Sequence, residues 1–255
     1  MAKVLKLVLP LLLVGVPAVA QEPVVPEKSG PVTRQTAHRE TPLVDFEYSW
    51  PEAVSSQAPL VAHFQADLSR SYDEALKNAR ENKAATEQYG GPFNQNMFNR
   101  VWTLEGQTAR LVSLVANTDT FTGGAHPNHD SFALLWDRSA GKGIEFAQLF
   151  ESPAGLEGAV RTSFCRLLDA ERLKRREGEK LDGEFSECPA FSELTIAPTG
   201  KEGSSTFDSV VLIADPYVAG PYAEGDYTIL VPVSAALVAA LKPEFRSEFK
   251  VQPRQ

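Results

Sequence analysis

A chain of 255 residues, 43% of them hydrophobic, is long enough for one two-layer domain or two small ones and apolar enough to bury a core. Its formal net charge of −8 excludes wrapping nucleic acid or an anionic lipid surface and permits a basic protein partner. The two cysteines, Cys165 and Cys188, are too widely spaced for a redox C-x-x-C and too few for a zinc site.

The chain opens with MAKVLKLVLPLLLVGVPAVA. Lys3 and Lys6 precede an apolar run, and Ala18 and Ala20 flank Val19 in the A-x-A pattern of a secretory signal, so residues 1–20 are expected to be cut after Ala20. An uncleaved anchor would need about 20 apolar residues, and this run is shorter and interrupted by Pro10 and Pro17. No later segment is apolar enough to span a membrane. The expected location is periplasmic or secreted, and an even cysteine pair in an oxidising compartment reads as a Cys165–Cys188 disulfide. Closing that loop would stabilise the fold by roughly 3 kcal/mol.

Residues 21–42 are polar and proline-rich and read as a flexible linker, with His38 solvated within it. Order is expected from Leu43. Val44, Phe46, Tyr48 and Trp50 alternate with polar residues as in a half-buried strand, and Pro51 stops it. PLVAHFQADL is read as the start of a second strand, with His63 packed or at an edge. A surface helix follows, with Ser71 as N-cap and Gly90–Gly91 as terminator. FNRVWTLEG and ARLVSLVANTDTF read as strands joined at Gly106 and Gln107. The nearly continuous LVSLV suggests an inner strand covered on both faces, and SFALLWD completes a meander. Leu156, Val160, Phe164, Leu167 and Leu168 mark one face of a second helix with a basic last turn. Residues 177–205 read as a polar excursion. The strands FDSVVLIAD and YTILVPV and a short closing helix end the chain. The expected class is α+β, a largely antiparallel sheet packed against two to three helices.

Between the inner strand and SFALLWD lies TFTGGAHPNHD. Gly123 and Gly124 can take positive φ, and Pro127 and Asn128 favour a turn, so this is a loop between antiparallel neighbours. His126, His129 and Asp130 are residue types that bind metal. They flank a proline, however, and the chain offers no H-E-x-x-H or comparable set, so no metal or cofactor is expected. No G-x-S-x-G elbow is present, so no catalytic residue is assigned.

FTGGAHPNHDSFALLWDRSAGKGIEFAQLF resembles the G-G-A-H segment of the extracellular domain of the RsiV family. DPYVAGPYAEGDYTILVPVSAALVAAL resembles that family's P-Y-A-x-G loop with its last strand and helix. The region from 43 to 120 is similar to the PdaC N-terminal domain, which leaves 121–245 as an RsiV-like C-terminal domain. The resemblance implies an extracytoplasmic module. In RsiV anti-sigma factors that module senses lysozyme, and in PdaC it is fused to a polysaccharide deacetylase domain. This chain has no anti-sigma segment and no room for a deacetylase, which leaves an exported binding or sensory module. The implied partner is an envelope protein such as a lysozyme-like enzyme, or a cell-wall glycan. The binding residues would be Gly123, Gly124 and His126 in one loop, and Pro221, Tyr222, Ala223 and Gly225 in the other. The loops could present exposed aromatic tips, or pack against each other with Tyr222 half-buried. Glycine geometry that serves the fold with or without a partner favours packing. The alternative function is a cell-wall hydrolase or deacetylase-associated enzyme using His126, His129 and Asp130.

Overall fold

The computed structural model describes residues 32–253 apart from Pro153, Leu181 and Glu184. The signal segment and residues 21–31 of the linker lie outside the described residues. Strand β1 (Arg34–Glu40) pairs antiparallel with β2 (Val44–Pro51). Residues 34–40, expected in a tether, are therefore an edge strand. Their burial shows no alternation, because the strand is held by backbone pairing, by His38 Nε2 at 2.7 Å from Asp45 Oδ1, and by Arg39 lying 4.4 Å from the Tyr72 ring centroid. Hydropathy carries no trace of such contacts.

Helix α1 (Ala58–Gln88) begins 13 residues before the expected N-cap Ser71 and absorbs the segment read as a strand. Leu60, Phe64, Leu68 and Ser71 are buried at helical spacing, and Pro59 fits the first turn, where its missing N–H costs nothing. Gly90, at φ +71°, stops the helix as the sequence suggests. The helix crosses over from β2 to β3 (Asn96–Gln107), which pairs parallel with β2. β4 (Leu111–Phe121), β5 (Asn128–Asp137) and β6 (Lys142–Ile144) continue antiparallel, giving a six-stranded sheet in chain order. The expected division at 120/121 falls at the last residue of β4, which pairs along its length with β5.

Gly106 is not in the hairpin turn but at a register shift inside β3. A Cβ there would lie 2.9 Å from the backbone nitrogen of Gly200, so glycine is needed for close approach of the second sheet. That sheet comprises β7 (Thr195–Thr199), β8 (Ser209–Ala214) and β9 (Tyr227–Pro232), all antiparallel. β7 lies within the segment read as a polar excursion. Helices α2 (Gly155–Arg175) and α3 (Ala235–Ala240) complete the regular structure.

Alternation assigns the layers. Val112, Leu114 and Ala116 of β4 share a core with Phe64 of α1, Tyr48 and Trp102. Val115, on the opposite face, packs with Ala197, Val211 and Ile213 of the small sheet. Val210 and Leu212 face away from that seam and share a core with Phe164 and Leu168 of α2. The order is helix, large sheet, small sheet, helix, an α+β fold in which β4 is covered on both faces. Cys165 and Cys188 are bonded, with Cα atoms 5.5 Å apart, so the long segment after α2 is fastened to that helix.

Candidate functional site

The loop 122–127 leaves β4 with Gly123 at φ +100° and Gly124 at φ +117°. A Cβ at either would meet nothing within 4 Å, so conformation rather than space demands glycine. The loop 215–226 joins β8 to β9, with Gly225 at φ +69°. The two loops meet. The His126 and Tyr222 rings stack with centroids 3.6 Å apart and planes 19° apart. His126 Nδ1 lies 2.8 Å from the Pro127 carbonyl, and the Tyr222 hydroxyl donates to the same oxygen at 3.0 Å. A carbonyl can only accept, so Nδ1 carries the proton and a neutral His126 presents Nε2 as acceptor. The Tyr217 hydroxyl is 3.3 Å from that nitrogen. Both His126 and Tyr222 are half-buried, the second of the two arrangements expected for these loops.

Tyr217 is the residue that sequence reasoning missed. It is 57% exposed, and its φ of +73° is a conformation that side chains with Cβ rarely adopt. Its ring centroid lies 5.8 Å from that of Tyr222. The Pro-Tyr pair at 216–217, repeated at 221–222, was the available signal.

The loop 215–226 is fixed from behind by the basic end of α2. Arg176 makes two bonds to Glu224, at 2.8 and 2.9 Å, and the Tyr227 hydroxyl donates to the same carboxylate. Arg176 holds the Glu224 carboxyl below the usual range, while burial and Glu224 push Tyr227 up to about 12. Arg175 donates to the carbonyls of Glu224 and Asp226 at 2.7 Å. Buried Arg172 donates to the Ala219 carbonyl at 2.9 Å and to the Glu187 carbonyl at 3.0 Å, beside Cys188. A Cβ on Gly220 would collide with the Glu224 carboxylate, so a side chain there would have to displace the carboxylate from its place against Arg176.

His129 stands on β5, opposite Asp119, rather than on a turn. Its Nδ1 is 2.7 Å from Asp119 Oδ1. Burial pulls its pKa down, but the hydrogen bond to Asp119 and the charges of Asp119, Asp215 and Asp226 outweigh it, leaving the imidazole raised. Asp130, one residue on, projects from the other face of the strand and is exposed. The structure therefore does not gather His126, His129 and Asp130 around one point. Among the described residues, no group of three or more His, Cys, Asp or Glu is placed to hold a metal. The link between the two sheets continues at Ser131, whose N–H donates to Asp215 Oδ2 at 2.8 Å and whose carbonyl accepts from Thr195 at 2.7 Å.

Residues 37–129, covering β2 to β4 and α1 between them, match the model of the family described as Deacetylase PdaC. A similar α+β fold over most of the chain recurs in solved structures. A DUF3298 family member from Bacteroides fragilis shares 16% identity over 86% of this chain and 95% of its own, with a TM-score of 0.50. A DUF3298 family protein from Pseudomonas aeruginosa, also 16% identical, covers 87% of this chain and 97% of its own, with a TM-score of 0.53. The chain thus carries a PdaC-like region within a fold shared with DUF3298 proteins. At that identity the likeness is one of fold. No curated protein matches the chain in sequence.

Proposed function

We propose that the protein is an exported, non-catalytic binding module of the cell envelope, resembling the RsiV extracellular domain. The joined loops 122–127 and 215–226 dock a basic envelope protein such as a lysozyme-like enzyme. The observation that carries this reading is Tyr217, exposed and held at positive φ beside the His126–Tyr222 stack. Strained non-glycine backbone persists where surrounding structure over-determines it, and such positions cluster at binding sites. The arginine clamp from α2 makes the surface rigid in advance, which lowers the entropy cost of docking. Asp119, Asp215 and Asp226, whose charges act on His129 where the loop 122–127 enters β5, and the net charge of −8, favour a cationic partner over a cell-wall glycan.

The test is binding to an immobilised basic muramidase, with isolated peptidoglycan as the comparison surface. Tyr217→Ala should weaken muramidase binding about tenfold or more, as loss of an interface anchor does, and leave the melting temperature unchanged. Retention on peptidoglycan alone would transfer the role to a glycan. Peptidoglycan turnover abolished by His126→Ala would instead establish a hydrolase and sink the binding reading.

A further inference from the structure

The rings of the docking loops differ in how far they are already committed. His126 and Tyr222 stack with centroids 3.6 Å apart, and the Tyr217 centroid lies 6.3 Å from the first and 5.8 Å from the second. The Tyr217 plane is inclined 38° to His126 and 36° to Tyr222, so that ring leans across the stack instead of extending it, and it stays 57% exposed. Its backbone is pinned in this posture. Tyr217 N–H donates to the Gly220 carbonyl at 2.9 Å, and Val218 N–H donates to the Asp215 carbonyl at 3.0 Å. A ring held in place loses little entropy when a group settles on it.

Charge decides which group that is. An aromatic face is the negative part of the ring quadrupole. The Tyr217 hydroxyl, 3.3 Å from the acceptor Nε2 of His126, gives its proton to that bond, which leaves the ring richer in electrons. The setting is acidic as well. Asp215 stands two residues before Tyr217, and its charge acts with those of Asp119 and Asp226 on His129, two residues after Pro127. Elsewhere the chain fills such a combination itself. Arg100 lies 4.5 Å from the Phe132 centroid and bonds Asp67 at 2.9 Å. Arg110 lies 4.2 Å from that of Phe245 and bonds Asp137 at 2.8 Å, and Arg175 lies 4.0 Å from that of Tyr227 and bonds Glu171 at 2.9 Å. In each case a guanidinium meets a ring and a carboxylate at once. Among the described residues no arginine lies over Tyr217. A sugar stacked there would leave the negative field without a counter-charge. We propose that Tyr217, backed by His126 and Tyr222, seats an arginine side chain of the docked partner, its guanidinium stacked on the tyrosine ring in the field of Asp119, Asp215 and Asp226. The inference rests on the docking reading only for the protein that carries this arginine.

The experiment is a ¹H–¹⁵N chemical-shift titration of the purified protein with N-acetylarginine amide, in parallel with N-acetylcitrulline amide, its uncharged isostere, and with chitotriose. The arginine compound should saturate shifts around residues 123–126 and 217–222 with a Kd in the millimolar range, and the citrulline compound should bind at least about fivefold more weakly. Tyr217→Leu should raise the arginine Kd about fivefold or more, whereas Tyr217→Phe, which keeps the ring, should stay within about twofold of wild type. Absence of localised arginine shifts would overturn the proposal, as would equal affinity for the citrulline compound or chitotriose shifts in their place. Arginine binding that persists in Tyr217→Leu, or equal losses in Tyr217→Leu and Tyr217→Phe, would do the same. Localised arginine binding by a protein that no basic muramidase docks to would uphold this inference and end the docking reading. Muramidase docking undiminished by saturating arginine compound would do the reverse.

Discussion

Tyr222 commits its ring to His126 and its hydroxyl to the Pro127 carbonyl, so it joins two loops rather than waiting for a partner. Tyr222→Ala should therefore cost stability, about 1–3 kcal/mol for a half-buried aromatic that also gives up a hydrogen bond and a ring stack. A denaturant melt measures this, and an unchanged midpoint would show that the stack holds nothing together. His129 makes a second testable statement. Its folded pKa is raised, so protonation favours the folded state. The stabilisation is complete below the ordinary histidine value of about 6.5 and is lost as pH rises through the raised value. Chemical melts from about pH 6 to pH 9 should show stability falling, and His129→Gln should flatten that fall. His38, also raised by its bond to Asp45, lies exposed on β1 and is unchanged in His129→Gln, so the difference between wild type and variant isolates the β5 histidine. Neither the His129–Asp119 pair nor the φ of Tyr217 was legible in the sequence. The first depends on cross-strand register between residues ten apart, and the second on a turn closed by Tyr217 N–H donating to the Gly220 carbonyl.

Elements whose stability comes from their own amphipathic face could be read directly. β2 and β4 show their burial in hydropathy alternation or a continuous apolar run, and α2 shows a stripe at helical spacing. Elements held by neighbours could not. β1 lives on backbone bonds to β2, and the first turns of α1 place Leu60, Phe64 and Leu68 under a sheet whose position the local segment does not reveal. β7 is short and hidden in polar flanks, found only through its pairing with β8. The disulfide supports such borrowed structure. It lies next to Glu187, whose carbonyl shares Arg172 with the Ala219 carbonyl of the docking loop. Reduction should lower stability by about 3 kcal/mol. It should also speed amide exchange at 185–190 and 217–220 more than in β4. Uniform acceleration across the chain would mean that the bridge acts only globally.

At the scale of the molecule, the large sheet is tied to the C-terminal segment through one buried carboxylate. Asp137, 3% exposed, accepts two bonds from Arg110, at 3.0 and 2.8 Å, and Arg110 lies 4.2 Å from the Phe245 ring centroid. Burial pushes the Asp137 carboxyl up, but the bonds from Arg110, Ser139 and Ala140 prevail and hold it at about 2. A depressed carboxylate contributes stability above its unfolded pKa and loses it as pH falls through the folded value, here about 2 kcal/mol lost between roughly pH 4 and pH 2. Asp137→Asn should remove a similar amount at neutral pH and flatten the acid limb of a stability–pH curve. A parallel, undiminished acid limb in the variant would assign it to other carboxylates. The edge strand β1 has a different consequence, for proteolysis and self-association. Arg34, His38, Arg39 and Glu40 line it as charged gatekeepers, and behind them lies β2, with Phe46, Tyr48 and Trp50 buried. A chain trimmed to begin at Leu43, where order first becomes readable in hydropathy, would bare the hydrogen-bonding edge of that aromatic strand. Size-exclusion chromatography should show it as oligomers while the chain retaining β1 elutes as a smaller species, so a cut in this charged strip would turn a dispersed protein into a sticky one.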